Sequence, residues 1–268
     1  MNSSITNAVV AALFTATAFA QWPDFPGKGL PRNAQGAVNM NAPTPKASDG
    51  NPDLSGIWNA LPLAGGSQGI GGVVGAPTLV FRNLDAAIPG GVPVLPWAAQ
   101  LKKQRLAKAG ADSPDAHCLP VHPVMLHSHP QPRKVIQTPG VIIIIYEANS
   151  GLRQIFTDGR PLPANNPQPW WYGYSVGKWQ GDTLVVETNG FRDDQWLDEA
   201  GTPMTENGRL TERFRRVNTG TLEIEMTIED SKTFTKPFNL KITQHLMPNT
   251  DLIEFVCQEN EKSAKHYQ

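Results

Sequence analysis

Residues 221–229, TLEIEMTIE, alternate without a break. Leu222, Ile224, Met226 and Ile228 fall on one face, and Glu223, Glu225 and Glu229 fall on the other. That is the period of two of an extended strand with one dry and one wet side. A strand with a solvated side belongs to an antiparallel sheet, because parallel sheets are covered on both faces. Neighbouring segments repeat the pattern between turn signals: 134–138, 141–148 (VIIIIYEA), 152–157, 172–179, 183–190, 209–217, 238–246 and 251–258. A sheet of this length removes its exposed edges by closing on itself. The expected fold is all-β: an antiparallel up-and-down barrel over 134–262, lipocalin-like in architecture.

The chain before the barrel reads differently. An apolar run from Ala8 to Phe19 ends in Ala18-Phe19-Ala20, which predicts a signal peptide over 1–20 and an exported, periplasmic or secreted protein. Residues 21–133 are rich in Pro and Gly and predict an extended arm packed on the barrel, with a short strand at 53–58 and another at Thr78–Arg82. One helix is expected near 96–109, where Pro96 suits the first turn, Trp97 and Leu101 share a face and Gly110 ends it. The 268 residues carry a formal net charge of -1, so no basic face is implied and nucleic acid is not an expected partner. No segment after the leader is apolar and long enough to span a membrane. The oligomeric state is left open. In an oxidising compartment the two cysteines, Cys118 and Cys257, are expected to pair.

Connection lengths suggest where binding occurs. NSG (149–151), QGD (180–182), NTG (218–220) and MPNT (247–250) are tight, whereas 158–171, 191–208 and 230–237 are long. In an up-and-down barrel the long loops would share one rim, and long loops on a rigid scaffold carry function. This mouth would hold Asp158, Arg160, Trp170, Trp171, Arg192, Asp193, Asp194, Trp196, Asp198 and Glu206. Aromatic rings beside carboxylates and arginines suit an apolar, aromatic or cyclic small molecule with a few polar handles. Trp170, Trp171 and Trp196 are the expected substrate-binding residues. Asp158, Asp193, Asp194 and Glu206 are candidate acids or bases, Tyr172 and Tyr174 candidate acids, and Arg160 and Arg209 candidate anion stabilisers. Glu187 joins them if its strand face lines the cavity.

Three other motifs are weaker. HCLPVHPVMLHSHPQP (117–132) crowds His117, His122, His127 and His129 beside Cys118, but its spacing matches no closed metal-ligand pattern. With prolines at 120, 123, 130 and 132 it reads as an extended strap bearing solvated histidines, and no metal or other cofactor is expected. Gly173-Tyr174-Ser175-Val176-Gly177 has the form G-x-S-x-G, but a hairpin follows it where a nucleophile elbow needs a helix. GGSQGIGGVVG (65–75) lacks the spacing and the following helix of a phosphate loop.

NPDLSGIW, VIQTPG, RQIFTDGRPLP, GDTLVVETNGF and CQEN together resemble a family of secreted bacterial proteins. The resemblance spans most of the chain beyond the leader and implies export; it supplies no reaction. Members of that family often carry GHWEGDTLV and PHTE or PHSE, where this chain has Lys178, Gln180 and Met204. Any family chemistry relying on a histidine at the last place is not carried over. The expected function is therefore binding of a cyclic or aromatic molecule at the barrel mouth, with cofactor-independent acid–base chemistry of isomerase, lyase or cyclase type. The alternatives are a non-catalytic carrier, and a partner-binding module with a filled barrel.

Overall fold

The computed structural model describes residues 29–60, 78–164, 168–257 and 259. The expected signal peptide and the glycine-rich stretch at 65–75 lie outside the described residues. Nine strands close a barrel: β1 (Gly56–Asn59), β2 (Arg133–Thr138), β3 (Val141–Tyr146), β4 (Gly151–Phe156), β5 (Tyr174–Gln180), β6 (Thr183–Asn189), β9 (Arg209–Asn218), β10 (Thr221–Glu229) and β11 (Phe238–Leu246). A separate ribbon pairs β7 (Gln195–Trp196) with β8 (Pro203–Met204). Around the wall the order is β1-β11-β10-β9-β6-β5-β4-β3-β2, so almost every strand lies beside its neighbour in sequence. The expected all-β barrel is present. The alternation that predicts β10 places Leu222, Ile224, Met226 and Ile228 inside, each at most 1% exposed.

One pairing departs from an up-and-down antiparallel meander. β4 and β5 run parallel and meet only at Ile155↔Ser175 and Phe156↔Val176. The chain leaves β4 at one rim and re-enters the wall partway along it, so alternate connections no longer fall at opposite ends. One rim carries the tight turns at Pro139–Gly140, Gly181–Asp182 and Thr219–Gly220. The other carries 147–150, 190–208 and 230–237. The tight turn at 149–151 thus sits with the long loops. Loop 158–171 belongs to neither rim alone: Asp158 lies beside Gly140 at the turn rim, and Trp170 bridges Phe191 at the other.

Both rims are covered. At the turn rim the arm crosses the barrel, with Gly220 N–H donating to the Met40 carbonyl and Arg216 to that of Asp53. At the opposite rim sit α1 (Leu79–Arg82), α2 (Leu84–Ala87) and α4 (Pro123–Ser128), with α3 (Pro96–Ala107) against β8. Thr78–Arg82 is a helical turn and not a strand, because the Thr78 hydroxyl accepts from the Phe81 N–H and caps it. Residues 251–257 form no strand. They are tied by Lys134–Asp251, by Ile253 N–H to Glu147 and by the Cys118–Cys257 disulfide, whose Cα atoms stand 5.6 Å apart. The helix near 96–109 is present, but its buried residues are Ala98, Lys102 and Arg105, whereas Trp97 is exposed. Carboxylates explain the inversion: Lys102 pairs with Asp85, and Arg105 with Asp194.

Among the described residues no helix is long and apolar enough to cross a membrane. Toward the turn rim the interior is apolar apart from Arg216, which lies over the Trp58 ring and donates to the Asp53 and Thr219 carbonyls. Leu54, Val135, Ile142, Ile144, Ile155, Leu184, Phe214 and Leu222 line a cavity of about 10 Å³ there. That is space for about one water molecule, so this half of the barrel is packed with side chains.

Candidate functional site

Toward the helix-covered rim the inward positions turn polar. Successive strands contribute Arg133 (β2), Tyr146 (β3), Arg153 (β4), Ser175 (β5), Thr188 (β6), Glu212 (β9) and Gln244 (β11), every one at most 2% exposed. α4 lowers His122 and His127 onto this layer. Within the segment expected as an extended strap with solvated histidines, Pro123–Ser128 is helical and His122, His127 and His129 are buried, while His117 is exposed. Pro123 takes the first helical position, where its missing N–H costs nothing, and the His122 ring accepts from the Val124 N–H as N-cap. His122 and His127 are fully buried.

The centre of the layer is an ion pair with a histidine. Arg153 donates to both Glu212 oxygens, at 2.9 and 2.5 Å, and to Ser175 and Thr188. His127 Nε2–H donates to Glu212 Oε1 at 2.7 Å. Burial pushes the Glu212 carboxyl up, but the charge and hydrogen bonds of Arg153, with the His127 N–H, outweigh it and hold it at about 2. Burial dominates at His127 and lowers it to about 4 against the pull of Glu212; His122 falls to about 3 for the same reason. At neutral pH His127 is therefore an uncharged ring whose proton sits on Nε2. Among the described residues its Nδ1 lone pair meets no hydrogen-bond partner, and neither do Arg133 Nη2 and Gln244 Oε1. The Tyr146 hydroxyl lies within the fields of Arg153 and Arg133 but makes no hydrogen bond of good geometry. Buried polar atoms are normally satisfied, so this grouping is unusual for a purely structural core.

One part of the wall beside the layer is thin. Gly151–Gln154 have no partner on β5. Tyr172 packs against that half of β4, its ring 6.1 Å from that of Tyr146. A Cβ on Gly151 would lie 2.5 Å from the Tyr172 hydroxyl oxygen, so only glycine admits this contact. Burial raises the Tyr172 phenol far above its ordinary value and keeps it protonated. Outside Tyr172 stand exposed Trp170 and half-buried Trp171, and the Arg192 guanidinium lies 4.6 Å over the Trp171 ring.

The residues expected at one mouth are thus divided. Exposed Asp158 and Arg160 group with half-buried Tyr174: Arg160 grips Asp158, donates to the Tyr174 hydroxyl at 3.2 Å and lies over the Phe156 ring. Trp170, Trp171 and Tyr172 gather at the thin wall. Trp196 is buried beneath the Arg105 guanidinium, which pairs with Asp194 and lies over its ring. Asp198 is spent on the Leu84 and Thr202 N–H groups. Asp193, Glu206, Arg209 and Glu187 point to solvent. Ser175 is fully buried and its hydroxyl accepts from Arg153, with no histidine partner. Among the described residues no three His, Cys, Asp or Glu side chains converge to hold a metal ion.

Sequence reasoning missed His127, Glu212, Arg153, Tyr146, Arg133 and Gln244. A signal for two of them was present. In 209–217 the dry register reads Leu210, Glu212, Phe214, and in 151–156 it reads Gly151, Arg153, Ile155. A charge of each sign on dry faces announces a buried pair. No protein-family model matches the chain, and neither a curated protein nor a solved structure does.

Proposed function

We propose that the chain is an exported protein that binds a cyclic or aromatic small molecule at Trp170, Trp171 and Tyr172 and acts on it by acid–base chemistry of lyase or isomerase type. The observation that carries this reading is the state of His127: neutral, oriented through Nε2 by an ionised carboxylate, and with Nδ1 unspent. A ring so held is a base whose protonated form Glu212 would stabilise, the role a carboxylate plays toward a catalytic histidine. Tyr146 and Tyr172, both held protonated, are donors for the return of the proton. The reaction requires Tyr172 to swing from Gly151 and open the thin wall. The apolar leader and the disulfide support export.

The filled apolar half of the barrel favours a second reading, a partner-binding module without turnover. Native mass spectrometry of protein purified from an exporting host, followed by exchange of any retained ligand in D2O, separates the two. The proposal expects a retained organic mass and deuterium uptake at one carbon, reduced by about 100-fold in His127→Gln. Uptake unchanged in that variant removes His127 as the base. A ligand-free protein that captures no small molecule leaves the partner-binding reading.

A further inference from the structure

The layer holds two buried arginines in different states. Arg153 is neutralised by Glu212. Arg133, 1% exposed, has no carboxylate partner among the described residues. Its Nε donates to the Trp58 carbonyl at 3.3 Å, and Nη1 to those of Leu126 and His127 at 3.1 and 2.5 Å, while Nη2 donates to nothing among the described residues. Burial lowers its pKa to about 9, which leaves it charged at neutral pH. Directly across the β2–β3 ladder its register partner is Tyr146, also buried, whose hydroxyl proton meets no acceptor among the described residues. Opposed residues on one face of an antiparallel pair stand within side-chain reach. The same two residues border His127: Arg133 through the His127 carbonyl, and Tyr146 with its ring 6.1 Å from the imidazole.

A guanidinium without a counter-charge, beside a phenol with a free proton, is the chemistry of a receptor for an organic oxyanion. Two other atoms of the cluster, His127 Nδ1 and Gln244 Oε1, are acceptors that would repel a second negative group and suit a C–H or O–H. We infer that Arg133 Nη2 and the Tyr146 hydroxyl bind a carboxylate, so that the ligand taken up at the thin wall is a cyclic or aromatic carboxylic acid in its ionised form. This inference rests on the small-molecule reading of the site and adds the ligand's charge and functional group.

The test uses the processed chain with its disulfide intact and two isosteric pairs as probes: benzoate against benzamide, and acetate against acetamide. Affinity is measured by calorimetry, and the His127 ring signals are followed by NMR. Each carboxylate should bind at least about tenfold more tightly than its amide and move the His127 signals. Tyr146→Phe should cost benzoate about tenfold, which is one lost charge-assisted hydrogen bond, and leave benzamide unchanged. Its hydroxyl donates to nothing among the described residues and meets only the Arg153 guanidinium, so this variant should lose little melting temperature and carry the test even where Arg133→Lys fails to fold. Equal binding of benzoate and benzamide with His127 signals moving would overturn the carboxylate inference and leave the small-molecule reading standing. Failure of every probe to bind would overturn it too, as would benzoate binding that is indifferent to Tyr146→Phe.

Discussion

His122 and His127 enter the barrel uncharged, and that choice has a cost that depends on pH. Their folded pKa values, about 3 and about 4, lie below the ordinary 6.5, so between roughly pH 4.5 and 6 the unfolded chain holds more protons than the folded one. Stability must then rise with pH across this window, by up to about 2.7 kcal/mol per pH unit for two protons. Glu212, held at about 2 against 4.5, adds a loss of the same sign once the pH falls below 4.5. Urea unfolding at half-unit steps should show a plateau above about pH 7.5 and a steep fall from 6 to 4.5, with the slope roughly halved in His127→Gln. A flat profile over that interval would mean that the histidines are solvated, as the proline-rich spacing of 117–132 suggested. That spacing misled because a proline before Val124 reads equally well as an extended residue or as the first residue of a helix. The buried Glu212 carboxylate, brought to His127 by a strand distant in sequence, favours the helix.

The strands were the legible elements, because each carries its own period. β10 and β11 match the expected bounds, and β9 ends within a residue of them. The short pieces were not. α1 looked like a strand from its apolar residues, and its cap decided otherwise. α3 inverted its expected face because Asp85, Asp194 and Asp198, from elements elsewhere in the chain, gather its lysine and arginine inward. The contact of β4 with Tyr172 offers a test with little backbone strain, since Gly151 has φ −68°, open to any residue. Gly151→Ala would place a methyl group on the Tyr172 hydroxyl and force the phenol outward. The expected cost is about 1–3 kcal/mol, with Tyr172 more open to solvent in ultraviolet difference spectra and faster ligand exchange at the thin wall. A wild-type tyrosine spectrum in this variant would show that Tyr172 does not guard that wall.

Across the whole molecule, the link between Cys118 and Cys257 spans a sequence separation of 139 and ties the last described segment to the loop before α4. Chain-entropy reasoning gives such a loop about 4–5 kcal/mol. A Cys118→Ala, Cys257→Ala protein should lose up to that amount in urea unfolding while keeping its β-rich circular dichroism, because the barrel ladders close without the tail. Loss of the β signal would make the bridge a condition of closure. Local pattern was enough to establish an all-β chain, a Pro/Gly-rich arm and a helix near 96–109, since hydrophobic alternation and turn residues act over a few neighbours, whereas the pairing of the two cysteines followed from the compartment that the leader implies. The parallel β4–β5 contact, the covering of both rims and the meeting of His127, Glu212 and Arg153 depend on closure of the wall. They join residues far apart in the chain, 85 positions for His127 with Glu212 and 163 for Arg216 with Asp53, and nothing local distinguishes a charged side chain that finds its partner across a barrel from one that faces water.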